Sequence, residues 1–388
     1  MPAMAYVRAG VTSLHSILGD GLVYRNLRPI DARLPDVAAL WQFLGLDDAP
    51  VVPRKAAPAF GKVVAEMLRQ ARGLELPGVG LRRVIYVGDN EASDGAAFAN
   101  LCSAGGWSGR AFIGQDDLRR QRSDHVEGNL YLSNRWSGLY DFVAGLERSG
   151  FGLDEQTVVV ADVDKTLIGA RGRNDAVIVQ ARLEALQCTV GGLLGPRFDA
   201  LAFRAAYDEL NQATYFGLTE DNQDYLAYIC LVLGSGLFRL DDLAQQARSG
   251  SLRFAEWIQR VDERRAELAL AGLGAVHDGI WGRVRAGDPT PFKAFRHNEY
   301  LSTLARFGDE PERSPEQVLA RRVAITHEVR DIVGMLRRRG ALAFGLSDKP
   351  DEAALPSEDQ ARRGLPPLHR AETIAVGEAL NTDGRERQ

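Results

Sequence analysis

Residues 157–167 read Thr-Val-Val-Val-Ala-Asp-Val-Asp-Lys-Thr-Leu, and this run constrains the fold more than any other part of the chain. An unbroken apolar, β-branched stretch fits a strand covered on both faces, as at the centre of a parallel sheet. Two carboxylates one residue apart, Asp162 and Asp164, end the run, and Thr166 follows. Open α/β sheets bind ligands at the carboxyl ends of their strands. Like charges buried there are costly unless a cation or a proton neutralises them. The arrangement suits a carboxylate nucleophile, a neighbouring acid–base group and a divalent metal.

Two further segments share this design. Arg83-Val84-Ile85-Tyr86-Val87-Gly88-Asp89 is a β-branched run ending in Gly-Asp, with Asp94 close behind. Ala341-Leu342-Ala343-Phe344-Gly345-Leu346 runs into Ser347, Asp348, Lys349 and Pro350. On one parallel sheet these three strand ends would meet at a single edge. Other elements are punctuated by Gly and Pro. Pro58 opens a helix to about residue 74, and Gly105-Gly106 closes another over 94–106. A short strand is expected at 110–114, a loop or linker over 115–135, and a helix over 139–147. Residues 1–54 are weakly patterned apart from a helical piece at 35–46. From about 175 to 335 strand signals vanish and amphipathic helices succeed one another, as an insert of roughly 160 residues large enough for its own core. The tail beyond Pro350, rich in Pro, Arg and Glu, reads as only partly ordered.

A chain of 388 residues suggests two or three domains. The reading divides it into 1–135, the first part of an α/β core; 136–174, with the Asp-x-Asp strand; 175–335, helical; and 336–388, with the Ser347 strand and the tail. With 45% hydrophobic and 26% charged residues it has the balance of a soluble globular protein. A net charge of −5 gives no reason to expect nucleic acid as a partner, and Arg337–Arg339 reads as a solvated helix end. Cys102, Cys188 and Cys230 are far apart, form no metal-ligand pattern and read as buried free thiols. No amino-terminal signal peptide and no stretch near the ~18–20 apolar residues of a membrane span are evident, so a cytoplasmic protein without a membrane partner is expected. The sequence leaves oligomeric state open.

Asp-Val-Asp-Lys-Thr-Leu resembles the first motif, Asp-x-Asp-x-Thr, of the haloacid dehalogenase superfamily of phosphatases. Val-Gly-Asp-Asn-Glu-Ala-Ser-Asp (87–94) is similar to that superfamily's fourth motif, and Ala-Phe-Gly-Leu-Ser (343–347) to its second. The resemblance implies a Rossmann-like, doubly wound, mostly parallel α/β sheet with a helical cap between first and second motifs. It also implies a Mg²⁺-dependent phosphatase acting on a small phosphorylated metabolite. Asp162 would attack phosphorus to form an aspartyl-phosphate, and Asp164 would serve as acid and base. Asp162, the Asp164 main-chain carbonyl and Asp89 would hold Mg²⁺. Asp94 would support the metal shell or orient the third-motif lysine. Ser347 would bind a phosphate oxygen, and Thr166 would orient the Asp162 loop at the substrate. Lys55, Lys62 and Lys349 compete as the third-motif lysine.

The motif order departs from the superfamily, since the fourth-like strand precedes the first. Either the domain is circularly permuted, or 1–130 is a separate unit and Glu378, ending Thr373-Ile374-Ala375-Val376-Gly377, replaces the usual acid. Arg171, Arg173 and Asn174, after the first motif, are candidates to grip a second anionic group on the substrate. His369, beside Arg370, is the one histidine the sequence singles out. A phosphomutase, a dehalogenase acting on carbon and a non-catalytic binding protein that retains the fold are the competing functions.

Overall fold

The computed structural model describes residues 6–46, 52–250 and 252–379. The chain forms two compact units: Met1–Gln180 with Thr303–Gln388, and Ala181–Ser302. All described strands belong to the first unit. They are β1 (Tyr6–Thr12), β2 (Leu22–Val23), β3 (Arg83–Gly88), β4 (Ser108–Gly114), β5 (Asp124–Glu127), β6 (Leu130–Ser133), β7 (Thr157–Asp162), β8 (Ile325–Thr326), β9 (Leu342–Leu346) and β10 (Thr373–Glu378).

Seven of them form one sheet in the order β2-β9-β7-β3-β4-β6-β5. Every pairing is parallel except β5 with β6. The chain is thus α/β with a mostly parallel sheet, compatible with a Rossmann-like fold. The apolar run of 157–161 is the body of an interior strand: every residue of β7 is buried. Val84, Tyr86, Val158, Val160, Leu342 and Phe344 turn to one face, where helices Pro58–Glu75 and Glu91–Gly105 supply Phe60, Val64, Leu68, Phe98 and Leu101. Helices Gly138–Arg148 and His327–Arg338 pack together and against β4 and β9. Pro58 stands at the first helical turn, and Gly106 ends its helix with φ of 66°. Only a residue free of a Cβ adopts that left-handed cap without strain.

The key connection is out of order along the chain. β3, which delivers Asp89, comes first, yet it lies beside β7 in parallel register, from Arg83↔Thr157 to Val87↔Ala161. β9, which delivers Ser347, flanks β7 on the other side. β10 lies instead in a separate three-stranded sheet, between β1 and β8. That removes Glu378 as a substitute for Asp89.

Several expectations need correction. The linker expected over 115–135 contains the β5–β6 hairpin, turned at Gly128 and Asn129; all four residues of β5 are exposed, so it carries no apolar alternation to read. Residues 6–23, part of a stretch that reads as weakly patterned, supply two strands, and the tail supplies β10, whose six residues are all buried. The helical unit is narrower than 175–335, because β8 and helix His327–Arg338 fold back onto β10 and β9. Helix Asp175–Leu194 runs across the unit boundary. With the turn to Arg197 it is long and apolar enough to cross a membrane, contrary to expectation. Its Leu186, Val190 and Leu194 nevertheless belong to the core of the helical unit. That core gathers Tyr228, Phe254, Trp257 and Phe295, with Arg296 buried between Asp224 at 2.6 Å and Glu299 at 2.5 Å. The cysteines are free, but of the three expected to be buried only Cys230 is; Cys102 is half-buried and Cys188 is exposed.

Phe344 is fully buried between β7 and the Pro58–Glu75 face. Phe344→Ala should cost about 3–5 kcal/mol of stability, read from urea unfolding of the sheet unit; a loss under about 1 kcal/mol would contradict this packing.

Candidate active site

Three strand ends build the site. β7 ends on Asp162, β3 ends one residue before Asp89, and β9 ends one residue before Ser347. After β7 the chain turns sharply. Ile168 donates to Val163 O (2.9 Å), Lys165 donates to Ile168 O (2.8 Å), and Lys165 takes φ of 68°. A non-glycine residue in that region is strained, and such strain concentrates at functional turns. The turn leaves Asp164 half-buried beside the strand end.

Lys55 joins the carboxylates. Its Nζ lies 2.7 Å from Asp162 Oδ1, 2.8 Å from Asp94 Oδ1 and 3.4 Å from Asp348 Oδ2, and it is 5% exposed. Lys62 is exposed on its helix. Of the lysines the sequence offered, Lys55 is therefore the one bound to Asp162. Lys349 is buried with Nζ 3.9 Å from Asp164 Oδ1. Burial works against the Lys55 ammonium, but the carboxylates of Asp162, Asp348 and Asp94 hold its pKa well above the usual lysine range.

Asp94 is saturated by the protein. Oδ1 accepts from Lys55 and from Tyr86 OH (3.1 Å), and Oδ2 accepts from the backbone N–H groups of Asp89 and Asn90, each at 3.0 Å. It thus orients Lys55 and fixes the Asp89 loop. Gly88 is required for this: a Cβ there would lie 2.5 Å from Asp94 Oδ2. Asn100 holds Lys55 from behind by donating to its carbonyl (2.9 Å).

One oxygen from each of Asp89, Asp94 and Asp162 falls within 4.8 Å of the others, a cluster that could hold a metal ion. Burial, reinforced by Asp94, pushes Asp89 up to about 6, with Arg171 opposing. Burial also pushes Asp162 well above the carboxylate range, with Lys55 opposing and Asp94 and Asp89 reinforcing. Carboxylates crowded in so desolvated a place are relieved by taking up protons or a further cation. Ser347 is buried, and its Oγ accepts from Lys349 N–H (3.0 Å), so its own O–H is what it has to donate.

Not all the candidates in the loop after the first motif face the carboxylate cluster. Arg171 does face the site: its Nε donates to Asp89 Oδ2. It also lines a cavity of about 640 Å³ with Asp89, Asn90, Gln115, His125 and Asn134. Arg173 turns inward, with side chain 1% exposed, to Asp116 (2.7 Å), Glu328 (2.9 Å) and Glu378 (3.6 Å), beneath the Tyr6 ring. Asn174 is buried as well; it donates to Leu319 O and Arg322 O and accepts from Ala324 N–H. Thr166 is fully buried, and its carbonyl accepts from Thr326 Oγ1. These three hold the loop's shape and are removed from the substrate contacts. Tyr86, Asn100 and Asp348 were not singled out from sequence. Tyr86 was indistinguishable there from a core aromatic, and Asn100 from a surface helix residue. Asp348 could have been suspected from its place between Ser347 and Lys349.

Comparison of the chain with protein-family models, with curated proteins and with solved structures finds no match.

The Arg173 network carries a pH signature. Burial and Asp116 push Glu378 up to about 7, against opposing contributions from Ser137 and Arg173. The folded chain then holds this proton more tightly than the unfolded one, whose pKa is near ~4.3. The stability from this group is complete below that value and is lost as pH rises to about 7. Glu378→Gln should therefore gain on the wild type, by on the order of 2 kcal/mol, between about pH 5 and pH 8. Urea unfolding at both pH values tests this; a pH-independent difference would refute it.

Proposed function

We propose that the protein is a Mg²⁺-dependent phosphomonoesterase of the haloacid dehalogenase type, acting on a small phosphorylated metabolite through an aspartyl-phosphate on Asp162. The observation that carries the reading is the buried contact of Lys55 with Asp162 and Asp94, within a cluster that also contains Asp89. Supporting it, the two parallel neighbours of the Asp162 strand are those that end at Asp89 and Ser347. A circularly permuted domain accounts for this adjacency despite the order of the segments along the chain.

The residues fit a hard divalent cation, since the available donors are carboxylate and carbonyl oxygens in a cluster short of positive charge. Asp162 and Asp89, with the main-chain carbonyl of Asp164, would hold Mg²⁺, which when bound would offset the negative charge of the phosphoryl oxygens. Lys55 fixes one carboxylate oxygen of Asp162 and leaves the other to attack phosphorus. As that O–P bond forms, the bond from phosphorus to the ester oxygen breaks. Asp164, in its acid form, gives its proton to the departing oxygen. In the second half, Asp164 takes a proton from water as the water oxygen attacks phosphorus. The bond to Asp162 then breaks and inorganic phosphate leaves. Ser347 donates to a non-bridging oxygen, and Lys55 opposes the charge gathered on the group in flight. The cavity beside Asp89 and Arg171 is of a size for a small metabolite.

Asp162→Asn keeps the shape of the side chain while removing the nucleophile. It should lower hydrolysis of a generic phosphomonoester by more than about a thousandfold, with unchanged circular dichroism. Wild-type turnover in that variant would overturn the reading. So would a failure of saturating Mg²⁺ to raise the thermal midpoint of the wild type.

A further inference from the structure

His369, in the turn Leu368–Arg370, is absorbed by nothing in the carboxylate site. It is 3% exposed, its Nδ1 has no hydrogen-bond partner, and its Nε2 lies 3.8 Å from Asp20 Oδ1. On the other side of Asp20, the same Oδ1 lies 3.1 Å from His15 Nδ1. The two imidazole rings are 6.2 Å apart between centroids. One ligand atom from each of the three residues falls within 4.8 Å of the others. Residues some 350 positions apart in sequence thus bring two imidazoles and one carboxylate to one point.

We propose that His15, Asp20 and His369 form a binding site for a divalent transition metal of the Zn²⁺ class, which clamps helix Leu14–Leu18 to the turn Leu368–Arg370. The donor set decides the class of ion. Imidazole nitrogens with a single carboxylate suit Zn²⁺, Co²⁺ or Ni²⁺, whereas Mg²⁺ and Ca²⁺ prefer oxygen throughout. The separations of Asp20 Oδ1 from the two ring nitrogens, 3.1 and 3.8 Å, are close to those of a tetrahedral shell, whose ligand atoms stand about 3.4 Å apart for bonds of ~2.1 Å. His15 and Asp20 are partly open to solvent, with side chains 43% and 36% exposed, which leaves a path for the ion and a coordination position for water.

Arg370 sets the terms of binding. Its guanidinium reaches Asp20 at 3.2 Å, and its Nε lies 3.4 Å from His369 Nε2. It is the present counterion of Asp20, on a side chain that is half exposed, and an entering dication would replace it as it swings into water. Helix Leu14–Leu18 and the turn Leu368–Arg370 already pack together, so the ion would bind an arrangement that the fold has assembled.

The test uses the full chain, stripped with chelator and kept in excess Mg²⁺ so that the oxygen-only cluster is occupied. Titration with Co²⁺ should give ligand-field absorption with one equivalent bound, and Zn²⁺ should raise the thermal midpoint. His15→Ala and Asp20→Asn, both at partly exposed positions, should each weaken Co²⁺ binding by roughly tenfold or more and abolish the Zn²⁺-dependent shift. Phosphatase activity in Mg²⁺ should stay at the wild-type level in both. Absence of Co²⁺ binding to the wild type would overturn the proposal, as would affinity unchanged in either variant. Binding that is lost instead in Asp89→Asn would place the ion in the carboxylate cluster, and would equally overturn it.

Discussion

The site rests on one buried ammonium. Lys55 sits between Asp162 and Asp94, with Asp89 next to both, in a place that water barely reaches. Without it, three carboxylates would share a desolvated pocket, and several would have to take up protons. Breaking a buried pair by removing one partner typically costs about 3–5 kcal/mol, more than the pair is worth against an apolar replacement. The pair is therefore an expensive way to stabilise a fold and a sound way to fix its geometry. It forces the loop before helix Pro58–Glu75, the end of β3 and the end of β7 into a single arrangement. Asn100, which donates to the Lys55 carbonyl, makes the constraint two-sided. Gly88 permits the approach of Asp94 from below.

Much of this was legible in the sequence, for a definite reason. A central parallel strand is buried on both faces, so it must be continuously apolar, and a carboxylate at its end then stands out. That signal gave β3, β7 and β9, and with them Asp89, Asp162, Asp164 and Ser347. Lys55 could be named but not separated from Lys62 and Lys349, because a lysine's direction depends on a loop conformation that periodicity does not encode. The short strands β2 and β8, two residues each, carry no period at all. β10 was visible as an apolar run, but not its partner: pairing with β1 joins residues more than 360 positions apart.

The arginines show the limit most clearly. Arg171 and Arg173 alternate in the same polar loop, and nothing in their local sequence distinguishes them. In the structure one meets Asp89 at the site, and the other is among the most deeply buried charges of the sheet unit. What separates them is the supply of acids from elsewhere: Asp116 after β4, Glu328 on helix His327–Arg338, and Glu378 ending β10. A buried guanidinium needs such partners on several sides at once. Their convergence is a property of the topology and could not be read from the loop.

This division of labour ties the inner network to the site. Arg171 and Arg173 are separated only by Gly172, whose φ is 77° and where a Cβ would lie 1.9 Å from the Asp116 carbonyl oxygen. The Arg171 carbonyl accepts from Asp116 N–H (2.9 Å) and Trp136 Nε1 (3.2 Å), so the loop is clamped by main chain as well as by charge. The direction in which Arg171 leaves the loop, toward Asp89, is thereby set by contacts on the other side of Gly172. Asp116 takes part in both, receiving Arg173 on its carboxylate while its N–H holds the Arg171 carbonyl. A change in the charge of that network would act on Asp89 through Arg171.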